Sequence, residues 1–131
     1  MTPRYLLDAN TLFAAASGEA ATLSRLSRLS IRDVAVSAIV YGELLAAAAA
    51  QGRNARLSEN LALIALNLDI LPFDRKAADA YGALLRKVEP KRRRALDRMV
   101  AAQAIAEGRA LVTMTPEEVS DIPGLKLEVW R

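Results

Sequence analysis

The chain has 131 residues, of which 53% are hydrophobic and 25% charged, a balance that fits one globular domain spanning 1–131 and not a disordered chain. It contains no Cys and no His, which removes disulfides, Ser-His and Cys-His catalysis, imidazole acid–base chemistry and nearly every zinc or haem site. The formal net charge is +3, and any catalysis must rest on carboxylates, hydroxyls and basic side chains, for which a hard, oxygen-seeking cation is the natural partner.

The first apolar run, Tyr5-Leu6-Leu7, reads as a buried strand ending at Asp8. Leu12 to Ala16 reads as a short helix ended by Gly18, and Ala20 to Leu29 as a second. Val34-Ala35-Val36 is the next strand, and Ser37 is placed to cap a helix from Ala38 to Ala50. A longer helical pattern runs from Asn54 to Leu68, followed by an extended segment, Ile70 to Phe73. Asp74 can cap a helix over Ala77 to Val88, and Pro90 breaks the chain before a helix from Ala95 to Ala106. Ala110 to Thr113 is a strand, Pro116 to Ser120 a loop or helical turn, and Leu125 to Val129 a last, edge-type strand with Trp130 as its anchor. Strands alternating with helices imply an α/β/α sandwich with a mainly parallel sheet of four to five strands. No run reaches the roughly 20 apolar residues of a membrane span, and the absence of Cys fits a reducing cytoplasm.

Sites in open α/β sheets gather beyond the carboxyl ends of the strands. Asp8, Ser37, Thr113 and Thr115 follow strands directly. Asp97 opens the helix that feeds the Ala110 strand, so a right-handed crossover brings it to the same edge. Glu43 stands among Tyr41, Leu44 and Leu45, an apolar setting for an acid. Singly, Asp8 is as readily a helix cap, Asp97 a complement to a helix dipole, and Glu43 a solvated residue. Jointly, three acids on one edge repel one another unless a divalent cation neutralises them.

The charge is uneven. Arg86, Lys87, Lys91, Arg92, Arg93, Arg94 and Arg98 face only Glu89 and Asp97, a local net of +5, whereas the rest of the chain is at −2. Such a run suits a polyanion, and it is equally the composition of a solvated helix end. Arg98 has two open readings, a contact to a substrate phosphate or a pair with an acid.

The segments Tyr5 to Leu12, Val36 to Leu45, Ile70 to Asp74, Asp97 to Ala104, Ala110 to Thr113 and Ile122 to Leu125, in that order, resemble the VapC-type toxins of the PIN-domain superfamily. The resemblance implies a metal-dependent endoribonuclease of a type II toxin–antitoxin system. Asp8, Glu43 and Asp97 would hold one or two Mg²⁺ or Mn²⁺ ions, with support from Asn10, Ser37 and Thr113. It also implies an RNA substrate (tRNA or rRNA), for which the charge of Lys91, Arg92, Arg93, Arg94 and Arg98 suits them as phosphate contacts, although the family's segment before the third acid usually contains Gly and Pro. A cognate antitoxin would lie over apolar helices such as 14–29 and 44–68, and the toxin would be a cytoplasmic homodimer. One position departs from the pattern: the family's fourth acid or Asn, two residues after the strand-ending Thr, is Thr115 here. Glu117, Glu118 and Asp121 are the acids within reach of replacing it. Two rivals within the same fold are a non-catalytic nucleic-acid-binding PIN domain and a DNA-directed one in a regulatory complex. A receiver-like phosphoryl-transfer domain is a third reading, weakened because no Lys follows Thr113 until Lys126.

Overall fold

The computed structural model describes residues 4–50, 55–89 and 94–131. Five strands form one sheet in the order β3-β2-β1-β4-β5, with every pairing parallel. They are β1 (Tyr5–Leu7), β2 (Val34–Ser37), β3 (Asp69–Leu71), β4 (Ala110–Thr113) and β5 (Leu127–Val129). The helices are α1 (Ala9–Ala16), α2 (Ala20–Ser27), α3 (Ala38–Ala50), α4 (Ala55–Asn67), α5 (Arg75–Leu85) and α6 (Ala95–Ala106). Helices α1 to α4 contact one another, and α5 packs on α6. Right-handed crossovers from β1 to β2 and from β2 to β3 run one way across the sheet, and the return from β3 to β4 runs the other. The two helix groups therefore cover opposite faces, giving the three-layer α/β/α architecture expected from the alternation of elements.

A parallel sheet covered on both faces needs strands that are apolar on both sides. Leu6 and Leu7 of β1, Ala35 and Val36 of β2, and Leu111 and Val112 of β4 are accordingly buried. Leu12, Val40 and Leu61 close over one face, and Ala101, Ala102 and Ala104 bring α6 close to the core. Burying each of the large aliphatic side chains contributes about 1.5–3 kcal/mol.

Several boundaries move. Helix α1 starts three residues earlier than its apolar run, because Asp8 caps it with a side-chain bond from the Thr11 N–H at 2.9 Å. Asp74 caps α5 in the same way, accepting from the Ala77 N–H at 2.9 Å, so that helix begins at Arg75. Strand β3 stops before Pro72, which has no N–H for the ladder. Residues 31–33 form a 3₁₀ turn that no periodicity marked. Gly18 and Gly108 end α1 and α6 at φ +82 and +63, left-handed conformations that suit glycine. Trp130 is buried and its backbone N–H donates to the Thr113 carbonyl at 2.9 Å, which anchors the end of β5 to β4.

Candidate metal centre

The register of the sheet builds one edge. Leu7 is level with Val36 on one side and with Val112 on the other. The next residues, Asp8, Ser37 and Thr113, therefore leave the sheet side by side. The Asp8 N–H donates to the Val112 carbonyl at 3.0 Å, and the Thr11 hydroxyl donates to the same oxygen at 3.3 Å. The first turn of α1 is thereby pinned to the end of β4.

Above this edge lies a cavity of about 270 Å³. Asp8 and Asn10 enter it from β1 and α1, Glu43 from α3, and Asp97 from the first turn of α6. Val40 and Val100, each three residues from one of these acids on the same helix, form apolar walls beside them. Thr113, Thr115 and Glu118 complete the rim from the segment after β4.

The electrostatics follow from burial and crowding. Partial burial raises the Glu43 carboxyl above its ordinary range, and Asp97 raises it further. Asp97 is raised first by burial, then by Glu118 and Asp8, while the Arg94 guanidinium works the other way. Among the described residues no three acids stand close enough, as they lie, to be a finished ligand set. They are instead hard oxygen donors sharing one polar cavity, partly desolvated and mutually repelling. That chemistry fits a hard divalent cation, which would draw them together, and fits no soft metal.

The residues expected from the sequence divide into groups. Asp8, Asn10, Glu43, Asp97, Thr113 and Thr115 are brought to the one cavity. Ser37 is fully buried and its hydroxyl accepts the Ile39 N–H at 3.1 Å, so it starts α3 and is not among the residues lining the cavity. Lys91, Arg92 and Arg93 lie outside the described residues. Arg94 is described, and its Nη1 is 3.9 Å from Glu118 Oε1. Arg98 takes the second of its two readings: its side chain is 2% exposed and pairs with Asp121 at 2.7 Å, so it is corrected from an RNA contact to an internal tie. Of the three acids considered as a replacement at Thr115, Glu117 pairs with Arg131, Asp121 with Arg98, and Glu118 alone lines the cavity. Its signal in the sequence was slight, an acid three residues beyond Thr115 in a short turn.

The PIN domain family model matches residues 5–116. The chain belongs to the PIN-domain family. Its match takes in every strand that carries the edge except β5, and it stops two residues short of Glu118. Ribonuclease VapC2 of Rickettsia felis is 32% identical to this PIN domain over 102 residues, covering 74% of each chain. Among solved structures, VapBC2 from Rickettsia felis, bound to a DNA fragment from their promoter, superposes with a TM-score of 0.84 at 28% identity, covering 97% of this chain and 98% of that one. The DNA-bound VapBC from Salmonella typhimurium gives 0.81 at 27% identity, covering 99% and 100%. The likeness is therefore to the VapC type of PIN domain, as the ordered segments of the sequence implied.

Proposed function

We propose that this PIN domain is a Mg²⁺- or Mn²⁺-dependent endoribonuclease and the toxin of a toxin–antitoxin pair. The observation that carries the reading is the convergence of Asp8, Glu43 and Asp97, from three separate elements, on one cavity at the carboxyl edge of the sheet. Asp8, Glu43 and Asp97 would hold the cation, and Glu118 stands as the fourth acid. When bound, the cation would acidify a water and neutralise charge developing on the phosphate and the leaving oxygen. Asp8 is fixed for this role, because the Thr11 N–H holds its Oδ1 and aims the carboxylate. Val40, Val100 and Val119 exclude bulk water from one side of the cavity and strengthen every charge interaction inside it. Arg94, with Lys91, Arg92 and Arg93 before it in sequence, supplies phosphate contacts beside Asp97.

The partner reading has its own support. A groove of about 280 Å³ runs between α1, α2 and α4, lined by Leu12, Leu23, Leu26, Leu63 and Ile64 with Asn60 as a polar exception. An apolar segment of an antitoxin would fill it, and the solved relatives from Rickettsia felis and Salmonella typhimurium are VapBC complexes. Exposed Leu45 and Leu66, outside that groove, suit self-association into the proposed homodimer. No helix among the described residues is long and apolar enough to cross a membrane, and we assign the protein to the cytoplasm, where its RNA substrate is.

A second reading, a DNA-directed PIN domain in a regulatory complex, is favoured by the DNA in both solved relatives. One assay separates the two: purified protein is given RNA or DNA with Mg²⁺, Mn²⁺ or EDTA, and Asp8→Asn is run alongside. Metal-dependent RNA cleavage that the variant loses is the expected result. Cleavage of DNA alone selects the second reading, and cleavage unaffected by EDTA or by Asp8→Asn overturns the metal centre.

A further inference from the structure

The position at which this chain departs from its family's pattern is occupied by a hydroxyl, which cannot bring charge to a cation. Its contacts give it another task. Thr115 Oγ1 donates to Glu118 Oε2 at 3.1 Å. The Thr115 N–H donates to Thr113 Oγ1 at 3.0 Å, and the two threonine hydroxyls are 3.5 Å apart. The Glu118 N–H in turn donates to the Thr115 carbonyl at 3.0 Å, closing the 3₁₀ turn Pro116–Glu118. The other oxygen of Glu118, Oε1, faces Arg94 Nη1 at 3.9 Å. Thr113, Thr115 and Glu118 all line the cavity that holds Asp8 and Asp97.

We infer that Thr115 is a positioning residue, which orients the Glu118 carboxylate toward the cation site and so lets an acid three residues later take the place of one at position 115. The inference rests on the metal-dependent reading of the cavity. A glutamate on a one-turn element has several rotamers to choose from, and side-chain ordering costs up to about 2 kcal/mol. The ladder from Thr113 through Thr115 meets part of that cost in advance, as groups behind metal ligands commonly do. The β-branched Thr115 is itself stiff about χ1, so its hydroxyl is a fixed donor and not one more moving part.

The test is Mn²⁺ binding to the full, metal-free chain, measured by calorimetric titration. Thr115→Val keeps the shape and removes the hydroxyl; Thr115→Ser keeps the hydroxyl. Thr115→Val is expected to weaken Mn²⁺ binding roughly tenfold with an unchanged melting temperature, and Thr115→Ser to restore it. In a Glu118→Gln background Thr115→Val is expected to have no further effect, because the two residues act as one unit. Wild-type affinity in Thr115→Val, or an equal loss with and without Glu118, overturns the positioning role while leaving the nuclease reading intact. Should the wild-type chain bind no Mn²⁺, the reading beneath the inference falls and the inference with it.

Discussion

Arg98 Nη2 donates to Asp121 Oδ2 at 2.7 Å, and the pair straddles the water boundary, with side chains 2% and 42% exposed. Nε and Nη1 of the same guanidinium are buried without a partner among the described residues. The two halves of this pair should therefore respond unequally to removal. Asp121→Ala leaves a buried cation uncompensated and should cost about 3 kcal/mol. Arg98→Met replaces the guanidinium with an apolar chain of similar volume, leaves a solvated carboxylate behind, and should be near neutral. Urea unfolding of both variants measures this, and a larger destabilisation for Arg98→Met would contradict it.

Asp8 serves the fold and the cavity at once, and two substitutions separate the roles. Asparagine can still accept the Thr11 N–H, so Asp8→Asn should keep the stability of α1 yet reduce cleavage by roughly 10²-fold or more. Asp8→Ala should lose the same activity and about 1 kcal/mol of stability as well. Parallel melting curves and cleavage rates for the two variants test the separation.

Glu43 and Asp97 both titrate above their ordinary range. In the metal-free protein the native state thus keeps protons that the unfolded chain has released. Stability from these groups is full below the unfolded carboxylate values and is lost as pH rises through the raised native ones. The melting temperature of the metal-free wild type should accordingly fall relative to Asp97→Asn across that interval. Mn²⁺ should reverse the trend, since deprotonated ligands bind it. A gap between wild type and variant that stays constant with pH would count against the crowding of acids.

Leu63 is 57% exposed and lines the groove between α1, α2 and α4. Leu63→Asp should abolish capture of the cognate antitoxin in a pull-down and leave RNA cleavage and the melting temperature near wild type. Retained capture would move the partner to another face.

Neutralising Arg92, Arg93 and Arg94 together should weaken RNA binding and flatten its dependence on salt, by about 0.7 in slope for each phosphate of a single strand that the protein no longer neutralises. An unchanged slope from fluorescence anisotropy at several salt concentrations would return the run to a solvated surface.

The sequence made some of this readable and hid the rest for physical reasons. Strand β4 and helices α3 and α6 have the bounds expected of them, because an apolar run or a capping Ser marks each end. Caps are local chemistry, and Asp74 announced itself, although its helix then begins one residue later and not at the first apolar position. The edge that carries Asp8 and the start of α6 with Asp97 followed from topology, since the carboxyl ends of parallel strands coincide, whereas Glu43, inside α3, was marked only by its apolar setting. Arg98 was ambiguous because charge alone says nothing of burial: only the packing of α6 against the loop after β4 sends its guanidinium inward. Glu118 was one of three acids in a short segment with no periodicity, and the choice among them depended on which had already been taken by Arg131 and Arg98.

The strand order has a consequence in time. β4, made after β1, β2 and β3, is inserted beside β1 at the middle of the sheet. Until Ala110–Thr113 has left the ribosome, β1 has one bare edge, Asp8 lacks its tie to Val112, and the acids of α6 and of the turn after β4 have nothing to converge upon. A nascent chain, or one cut short by a premature stop, holds Asp8 and Glu43 without a centre. The topology thus sets an order on the cavity: the segments that carry Asp8 and Glu43 are made first, and the edge they share is completed only when β4 pairs with β1.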